Sequence, residues 1–354
     1  MLETLQLKVR KVEHSRVHEV DFSEIPFGKI YSDHMVVADY AGKEWKNFLI
    51  LPYDHLKLMP GTSGLHYGQS IFEGLKGYKN QSGDILVFRP YENLKRMNIS
   101  AKRMCMPEIP EEIFIGGIKE LLNIDRNWVP PSKEISLYIR PLMFATDEYI
   151  GIKTSESYKF LIMTLPVGAY YSTSVKVKVE TEYARACAGG TGFAKAAGNY
   201  AGSLFPAKLA QEQGYHQLVW TDAKEHKYIE EAGTMNLMFV IDNVLVTPET
   251  RDTILKGITR DSVMTIARDW GMKVEERRIQ VDEVIEGIKN HTLTEAFGTG
   301  TAATIAPIEL ISYKGVDYQL PGEQARIFSK KLFDYLENYK RGRVEDKFKW
   351  MFRV

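Results

Sequence analysis

Two largely apolar runs, EISLYIRPLMF at 134–144 and YKFLIMTLP at 158–166, constrain this chain more than any other feature. Runs of that length without alternation suit strands covered on both faces, so the sheet they join needs a layer on each side. KIYSDHMVVADY (29–40) and ILVFRP (85–90) read as further strands. Between them and the paired runs, YENLKRMNISAKRM (91–104) sets Leu94, Met97 and Ala101 at helical spacing, with basic residues on another face. The first half therefore mixes strands and helices.

PVGAYYSTS (166–174) then concentrates turn-forming residues, and VKVKVE (175–180) opens a new alternating strand. This change predicts a domain boundary: a first domain at 1–167, an interdomain loop at 168–174 and a second domain at 175–354. In the second half QLVWTD reads as a strand and LMFVIDNVLVT as a hairpin folding back on Asp242-Asn243. TRDSVMTIARDWG reads as a helix with Thr259 as N-cap and Gly271 as its stop. ARIFSKKLFDYLENYKRG is amphipathic, and no repeat of fixed period appears.

Composition narrows the function. The 354 residues are 44% apolar and 26% charged, and 46 basic residues balance 46 acidic ones, so no global field favours nucleic acid or an anionic membrane. Only Cys105 and Cys187 are present, which suggests no disulfide framework and suits a reducing compartment. MLETLQLKVRKVEH has neither an apolar core nor a cleavage pattern, and its acidic residues do not suit a transit peptide. A cytosolic protein is expected. His14 and His18 in HSRVH stand four apart, but in strand-like, charged surroundings without a zincin glutamate they read as surface residues, with no metal site.

The chemistry concentrates in ACAGGTGFAKAAGNYAGSLF (186–205), where Lys195 stands among glycines and alanines. Three readings apply: a solvated lysine, a phosphate anchor, or a Schiff-base lysine whose amine is kept neutral enough to attack a carbonyl. The stretch lacks the Gly-Lys-Ser/Thr ending of a P-loop and the third glycine of a dinucleotide fingerprint. Small neighbours would let a flat cofactor lie against the backbone. Pyridoxal phosphate would further require a carboxylate for its ring nitrogen, a donor for its phenolic oxygen, and cations with backbone N–H groups for its phosphate. Glu231 at a strand end in YIEEAGTMNLMFV, Tyr200 in GNY, Arg96 on the 91–104 helix, the helix start in LKGITRDS and the FGTGTAATIAP turn supply such groups. Singly, each has an ordinary structural explanation.

The order and spacing of FGKIYSDHM, LHYGQSIFEGLKGY, FRPYENLKRM, SLYIRP, GNY, EEAGTMN, GITRDS and FGTGTAA resemble the branched-chain amino acid aminotransferases of the fold-type IV pyridoxal-phosphate family, over nearly the whole chain. The longer, eukaryotic-type branch is the more similar. The resemblance implies a mixed α/β (α+β) two-domain fold, with a smaller N-terminal α/β domain and a larger C-terminal domain around a barrel-like sheet. It implies that Lys195 bears the cofactor, that Glu231 faces the ring nitrogen and that Tyr200 faces the phenolic oxygen. Arg96 rather than Arg89, the backbone of Ile258 and Thr259, and Thr301 would hold the phosphate, with Thr299 and Arg185 as further candidates. For substrate it implies an apolar wall of Phe27, Phe72, Ile150 and Ile152, a polar edge of Tyr67, Tyr138 and Arg140, and a carboxylate site at Thr301, Ala302 and Ala303 helped by Thr234.

Arg140 is the expected reader of the second carboxylate. Tyr67, Ile150 and Ile152 would reach a neighbouring subunit's site, so the resemblance implies a homodimer. Its activity would be transamination of leucine, isoleucine and valine with 2-oxoglutarate. Ala303 and Ala306 stand where the longer branch often has a redox Cys-x-x-Cys, so thiol switching of that kind is absent; Met238 replaces the usual Phe or Tyr. D-amino acid aminotransferases and aminodeoxychorismate lyases would reuse Lys195 and Glu231, but SLYIRP with GTAA favours the branched-chain enzyme. A non-catalytic binding protein would have no need of the base, ring partner and phosphate ligands together.

Overall fold

The computed structural model describes residues 6–130, 135–168 and 174–354. The chain forms two compact units. One comprises Met1–Tyr170, Ala194–Gly198 and Asn338–Val354, the other Tyr171–Phe193 and Asn199–Glu337. Of the loop expected at 168–174, residues 169–173 lie outside the described residues. Two later segments, Ala194–Gly198 and Asn338–Val354, join the first unit. The reason is pairing between residues remote in sequence, which local composition does not register.

The first unit is built on β1 (Lys8–Val9), β2 (His34–Ala41), β3 (Glu44–Pro52), β4 (Ser70–Phe72), β5 (Leu75–Lys79), β6 (Ile85–Phe88), β7 (Ser136–Ala145) and β8 (Tyr158–Val167), with the short helix α1 (Ser63–Tyr67) before β4. They lie in the order β1-β3-β2-β8-β7-β5-β6, with β4 beside β7, and the C-terminal Met351–Arg353 adds antiparallel to β6. The two apolar runs are β7 and β8, paired antiparallel from Ser136 opposite Val167 to Ala145 opposite Tyr158. Helices cover one face of this sheet, and the other carries an apolar cluster of the sheet's own side chains. Val36, Ala38 and Ile162 pack into one core, with residues of α2 (Pro90–Arg103) and α3 (Gly117–Ile124), while Met35, Val37 and Leu161 form a second cluster with Leu142 and Phe144. Helix and sheet approach closely at Gly117, where a Cβ would meet Val36 and Ile162 at 3.3 Å.

The second unit contains β9 (Val175–Val179), β10 (Gln217–Thr221), β11 (Ile229–Ala232), β12 (Met235–Ile241), β13 (Val244–Pro248), β14 (Val274–Arg277), β15 (Leu293–Gly300), β16 (Thr304–Tyr313) and β17 (Val316–Gln319). The path β11-β10-β9-β16-β15-β12 closes on itself because β11 also pairs with β12. These six strands form the barrel-like sheet that the resemblance implied, with parallel pairs at β9–β10 and β9–β16 and antiparallel pairs elsewhere. The β12–β13 hairpin turns at Asp242 and Asn243, both at positive φ (48° and 61°), the twist that suits a two-residue hairpin.

Helix Ile258–Asp269 begins two residues earlier than expected: Gly257, not Thr259, is its N-cap, and Thr259 is buried in its first turn. The cap is a glycine for want of room, since a Cβ there would lie 1.9 Å from Asn236 Oδ1. Gly271 does end it, at φ 78°. The segment around His14 and His18 is not extended; Arg16–Glu19 is a 3-10 turn capped by the Ser15 hydroxyl. Among the described residues no helix is long and apolar enough to cross a membrane, and no three His, Cys, Asp or Glu residues group as metal ligands.

Candidate active site

Lys195 is held by its main chain. Its carbonyl accepts the Phe72 N–H (3.1 Å), Ala196 bridges to Ile71, and its own N–H donates to Ser100 Oγ (2.9 Å). Ala194 and Ala196 are buried in the core of the first unit, leaving the lysine half-buried between them, with Nζ 4.9 Å from the centre of the Phe72 ring. Gly192, three residues before it, is small for a packing reason. A Cβ on Gly192 would stand 2.6 Å from Thr253 O, so the residue is small to let two stretches of backbone touch.

Arg96 and Ser100 are one turn apart on α2. Arg96 donates from Nε and Nη2 to the two oxygens of Glu73 (2.7 and 2.8 Å), and Asn93, a turn earlier, donates to the same carboxylate at 2.7 Å. Glu73 is wholly buried. Burial alone would raise its carboxyl, but Arg96 foremost, then Lys195, outweigh burial and hold it below the usual carboxylate range. Sequence reasoning missed Glu73 and Ser100, although an acid inside IFEGL and a serine on an apolar helix face were visible signals. Arg89 plays another part: its guanidinium lies 4.9 Å from the Trp350 ring centre and its N–H bonds to Trp350 O.

Four expected substrate residues gather in the same unit. Arg140 lies over Phe72 (4.7 Å) and Tyr138 (5.2 Å) and donates to the Tyr138 hydroxyl (3.0 Å), while Phe27 meets Tyr138 edge-on at 5.8 Å. Arg140 Nε is buried and has no hydrogen-bond partner among the described residues. Gly74 is glycine because a Cβ would fall 2.1 Å from that hydroxyl. Tyr67, Ile150 and Ile152 do not join the group; they are exposed, Ile152 to 95%.

In the second unit one rung of the barrel carries three polar side chains. Glu231 pairs with Asn236 across β11–β12, and Asn236 with Thr299 across β12–β15, so all three project to the same side. Glu231 accepts the Leu255 N–H (3.0 Å) and stands 3.1 Å from Arg185 Nε, near enough to pair as ions but without the alignment of a hydrogen bond. Arg185 Nη2 instead donates to the carbonyls of Gly192 and Thr253. Asn236, also missed in the TMN triplet, holds Leu255 O with Nδ2 (2.9 Å) and abuts Gly257, seating the chain that leads into Ile258 and Thr259. Thr299 Oγ1 is buried and has no hydrogen-bond partner among the described residues.

The turns at Thr234 and at Thr301–Ala303 lie side by side, a Cβ on Gly300 falling 3.4 Å from Thr234 O. Tyr200 is half-buried on the short helix Ala197–Ala201. Each unit thus presents a distinct part of the expected set: an amine, an arginine and an aromatic–arginine group in one, a carboxylate, hydroxyls and a helix start in the other.

The amino-transferase class IV family model matches residues 70–311. Branched-chain-amino-acid aminotransferase 2 of Bacillus subtilis (strain 168) is 44% identical over 338 residues, covering 94% of this chain and 93% of that protein. The branched-chain-amino-acid aminotransferase of Mycolicibacterium smegmatis is 43% identical over 337 residues, 93% and 92% of the two chains. Both are bacterial, so the longer form is not confined to eukaryotes. The T.th. branched-chain amino acid aminotransferase complexed with N-(5'-phosphopyridoxyl)-L-glutamate has a similar fold, with TM-score 0.73, 26% identity and 90% and 97% coverage. The Thermoproteus uzoniensis enzyme with norvaline gives TM-score 0.74 at 26% identity, covering 90% and 99%.

Proposed function

The chain belongs to the class IV aminotransferases and, within them, to the branched-chain-amino-acid aminotransferases, and from that membership we propose that it moves the α-amino group of L-leucine, L-isoleucine or L-valine to 2-oxoglutarate, using pyridoxal 5'-phosphate. The products are the branched-chain 2-oxo acids and L-glutamate. The observation that carries the reading is the Glu231–Asn236–Thr299 rung, where a carboxylate already supplied with donors lies in register with an unsatisfied buried hydroxyl. A phosphorylated pyridine asks for such an arrangement: an anion for its ring nitrogen and donors for its phosphate.

Bound pyridoxal phosphate supplies an aldehyde for an amine and a cationic ring that takes up the electrons of a broken Cα–H bond. Lys195 would hold the cofactor at Nζ in the resting enzyme and, as a free amine, would carry the proton taken from the substrate Cα to the cofactor's former aldehyde carbon. Its main-chain anchors make that transfer a step between groups held together. Glu231 keeps the ring nitrogen protonated and Tyr200 donates to the phenolic oxygen. Arg96, the Ile258 and Thr259 N–H groups, Thr299 and Thr301 hold the phosphate, with Arg185 steadying Glu231. Phe27, Phe72 and Tyr138 give the aliphatic side chain an apolar wall, and Arg140 takes the second carboxylate of glutamate. The Thr301–Ala303 turn and Thr234 receive the α-carboxylate. Such a wall separates methylene homologues by only about 1–3 kcal/mol, so all three branched substrates react.

The working form is a homodimer in the cytoplasm, with Tyr67, Ile150 and Ile152 turned to the second subunit. Their exposure and the two exposed free cysteines support this. Borohydride reduction of the holoenzyme followed by peptide mapping tests the function: the pyridoxyl group is expected on Lys195. Its appearance elsewhere, or a preference for D-amino acids in a chiral panel, would overturn the reading.

A further inference from the structure

We propose that Ser100 is a positioning residue, whose hydroxyl ties the main chain of Lys195 to α2, the helix that carries Arg96. The inference rests on Lys195 being the residue that bears the cofactor. Ser100 is wholly buried. Its one hydroxyl proton goes to Arg96 O (3.0 Å), one turn back, so the oxygen meets the Lys195 N–H as an acceptor, at 2.9 Å. The roles do not interchange, because an amide nitrogen only donates.

A serine is a poor choice here on helical grounds alone. Alanine is the better helix former, its neighbours Met97 and Ala101 are apolar core, and a serine bonding back to the carbonyl four residues earlier slightly weakens the helix. The Lys195 N–H accounts for it. With Phe72 N–H on the carbonyl and Ser100 on the N–H, both peptide groups flanking the Lys195 Cα are fixed, and only the side chain is left to move Nζ. At the other end of the same helical turn, Glu73 holds both Nε and Nη2 of Arg96. One turn of α2 therefore sets the lysine and the arginine in register. An error at either end displaces a reacting amine relative to the group that anchors the cofactor's phosphate.

The experiment compares the Ser100→Ala, Ser100→Thr and Ser100→Cys holoenzymes with the wild type. Three readings are taken: amide hydrogen exchange of the peptide around Lys195, kcat and KM for leucine, and borohydride mapping. Alanine is expected to speed exchange of the Lys195 amide and to lower kcat by about tenfold, with KM within about twofold, as for a mispositioned reacting group. Threonine, which keeps the hydroxyl, restores both. Cysteine, near in size but a weak acceptor, behaves as alanine does and carries the test should alanine loosen the fold. A lower melting temperature with unchanged kcat in the alanine and cysteine variants overturns the proposal, as does a kcat that threonine fails to restore. A pyridoxyl group on Lys195 alongside such wild-type kinetics overturns the Ser100 assignment alone; a pyridoxyl group elsewhere removes the functional reading and this inference with it.

Discussion

The Glu73 carboxylate grips Nε and Nη2 of Arg96 at 2.7 and 2.8 Å, in a place from which water is excluded. A buried pair of this kind is costly to break, because the survivor keeps its charge without compensation. Glu73→Gln is expected to lower stability by about 3–5 kcal/mol at neutral pH, measured by urea unfolding. The pH dependence follows from the depressed carboxyl. Its folded-state value lies below the unfolded one, so its stabilisation is complete well above about pH 4.3 and is lost as pH falls through the folded value. The gap between wild type and variant should narrow under acid conditions. A gap constant down to about pH 3 would contradict the assignment.

Gly257 and Asn236 form a second linked pair. Gly257→Ala places a methyl group 1.9 Å from Asn236 Oδ1, on a side chain already held by Leu255 O, although φ −69° is itself acceptable for alanine. A loss of about 1–3 kcal/mol is expected, with weaker cofactor retention on dialysis. Asn236→Ala in the same chain should recover part of the loss. The double variant is then less destabilised than the sum of the singles, and simple additivity in urea unfolding would show that the two do not touch.

Arg140 reports on dual specificity. Its guanidinium lies over the Phe72 and Tyr138 rings, within an apolar wall that leucine would use too. Arg140→Ala should therefore lower kcat/KM for glutamate by about tenfold to a hundredfold, as expected for removing a carboxylate's charged partner. Leucine should lose several-fold less. Equal losses on both substrates would argue against the role.

The exposed loop after β7 tests assembly. Ile150 and Ile152 are 64% and 95% exposed, and the proposed dimer would cover them. Ile152→Asp should weaken self-association by about tenfold or more, seen as a shift toward monomer in sedimentation at micromolar concentration. Activity should fall with dilution in parallel. A fully active monomer would remove the dimer from the proposal.

Much of the fold is legible in the chain because its determinants are local. The β7 and β8 runs are apolar on successive residues: one set packs with α2 and α3, and the other joins the apolar cluster around Met35 and Leu161. The α2 helix follows from Leu94, Met97 and Ala101, and the β12–β13 hairpin from two residues that accept positive φ. The Thr259 cap fails for a reason no local rule contains: Asn236, more than twenty residues away, leaves Gly257 no room for a side chain. Glu73 and Ser100 left a visible signal, a polar residue in an apolar setting, but their roles and that of Asn236 were illegible on the same ground. Each acquires its role from a partner brought in by the fold, Ser100 from one 95 residues away.

By itself the sequence determined which elements form and which reactive groups exist: a lysine amine, a carboxylate, an arginine and hydroxyls suited to a phosphorylated pyridine. Those follow from periodicity, turn stereochemistry and side-chain chemistry, all readable within a few residues. Only the tertiary structure decided that β11 closes the barrel onto β12, that Glu231, Asn236 and Thr299 share a rung, and that residues 194–198 are bound into the first unit. Strand register and long-range hydrogen bonds depend on burial summed over the whole core, and no short window of sequence contains that sum.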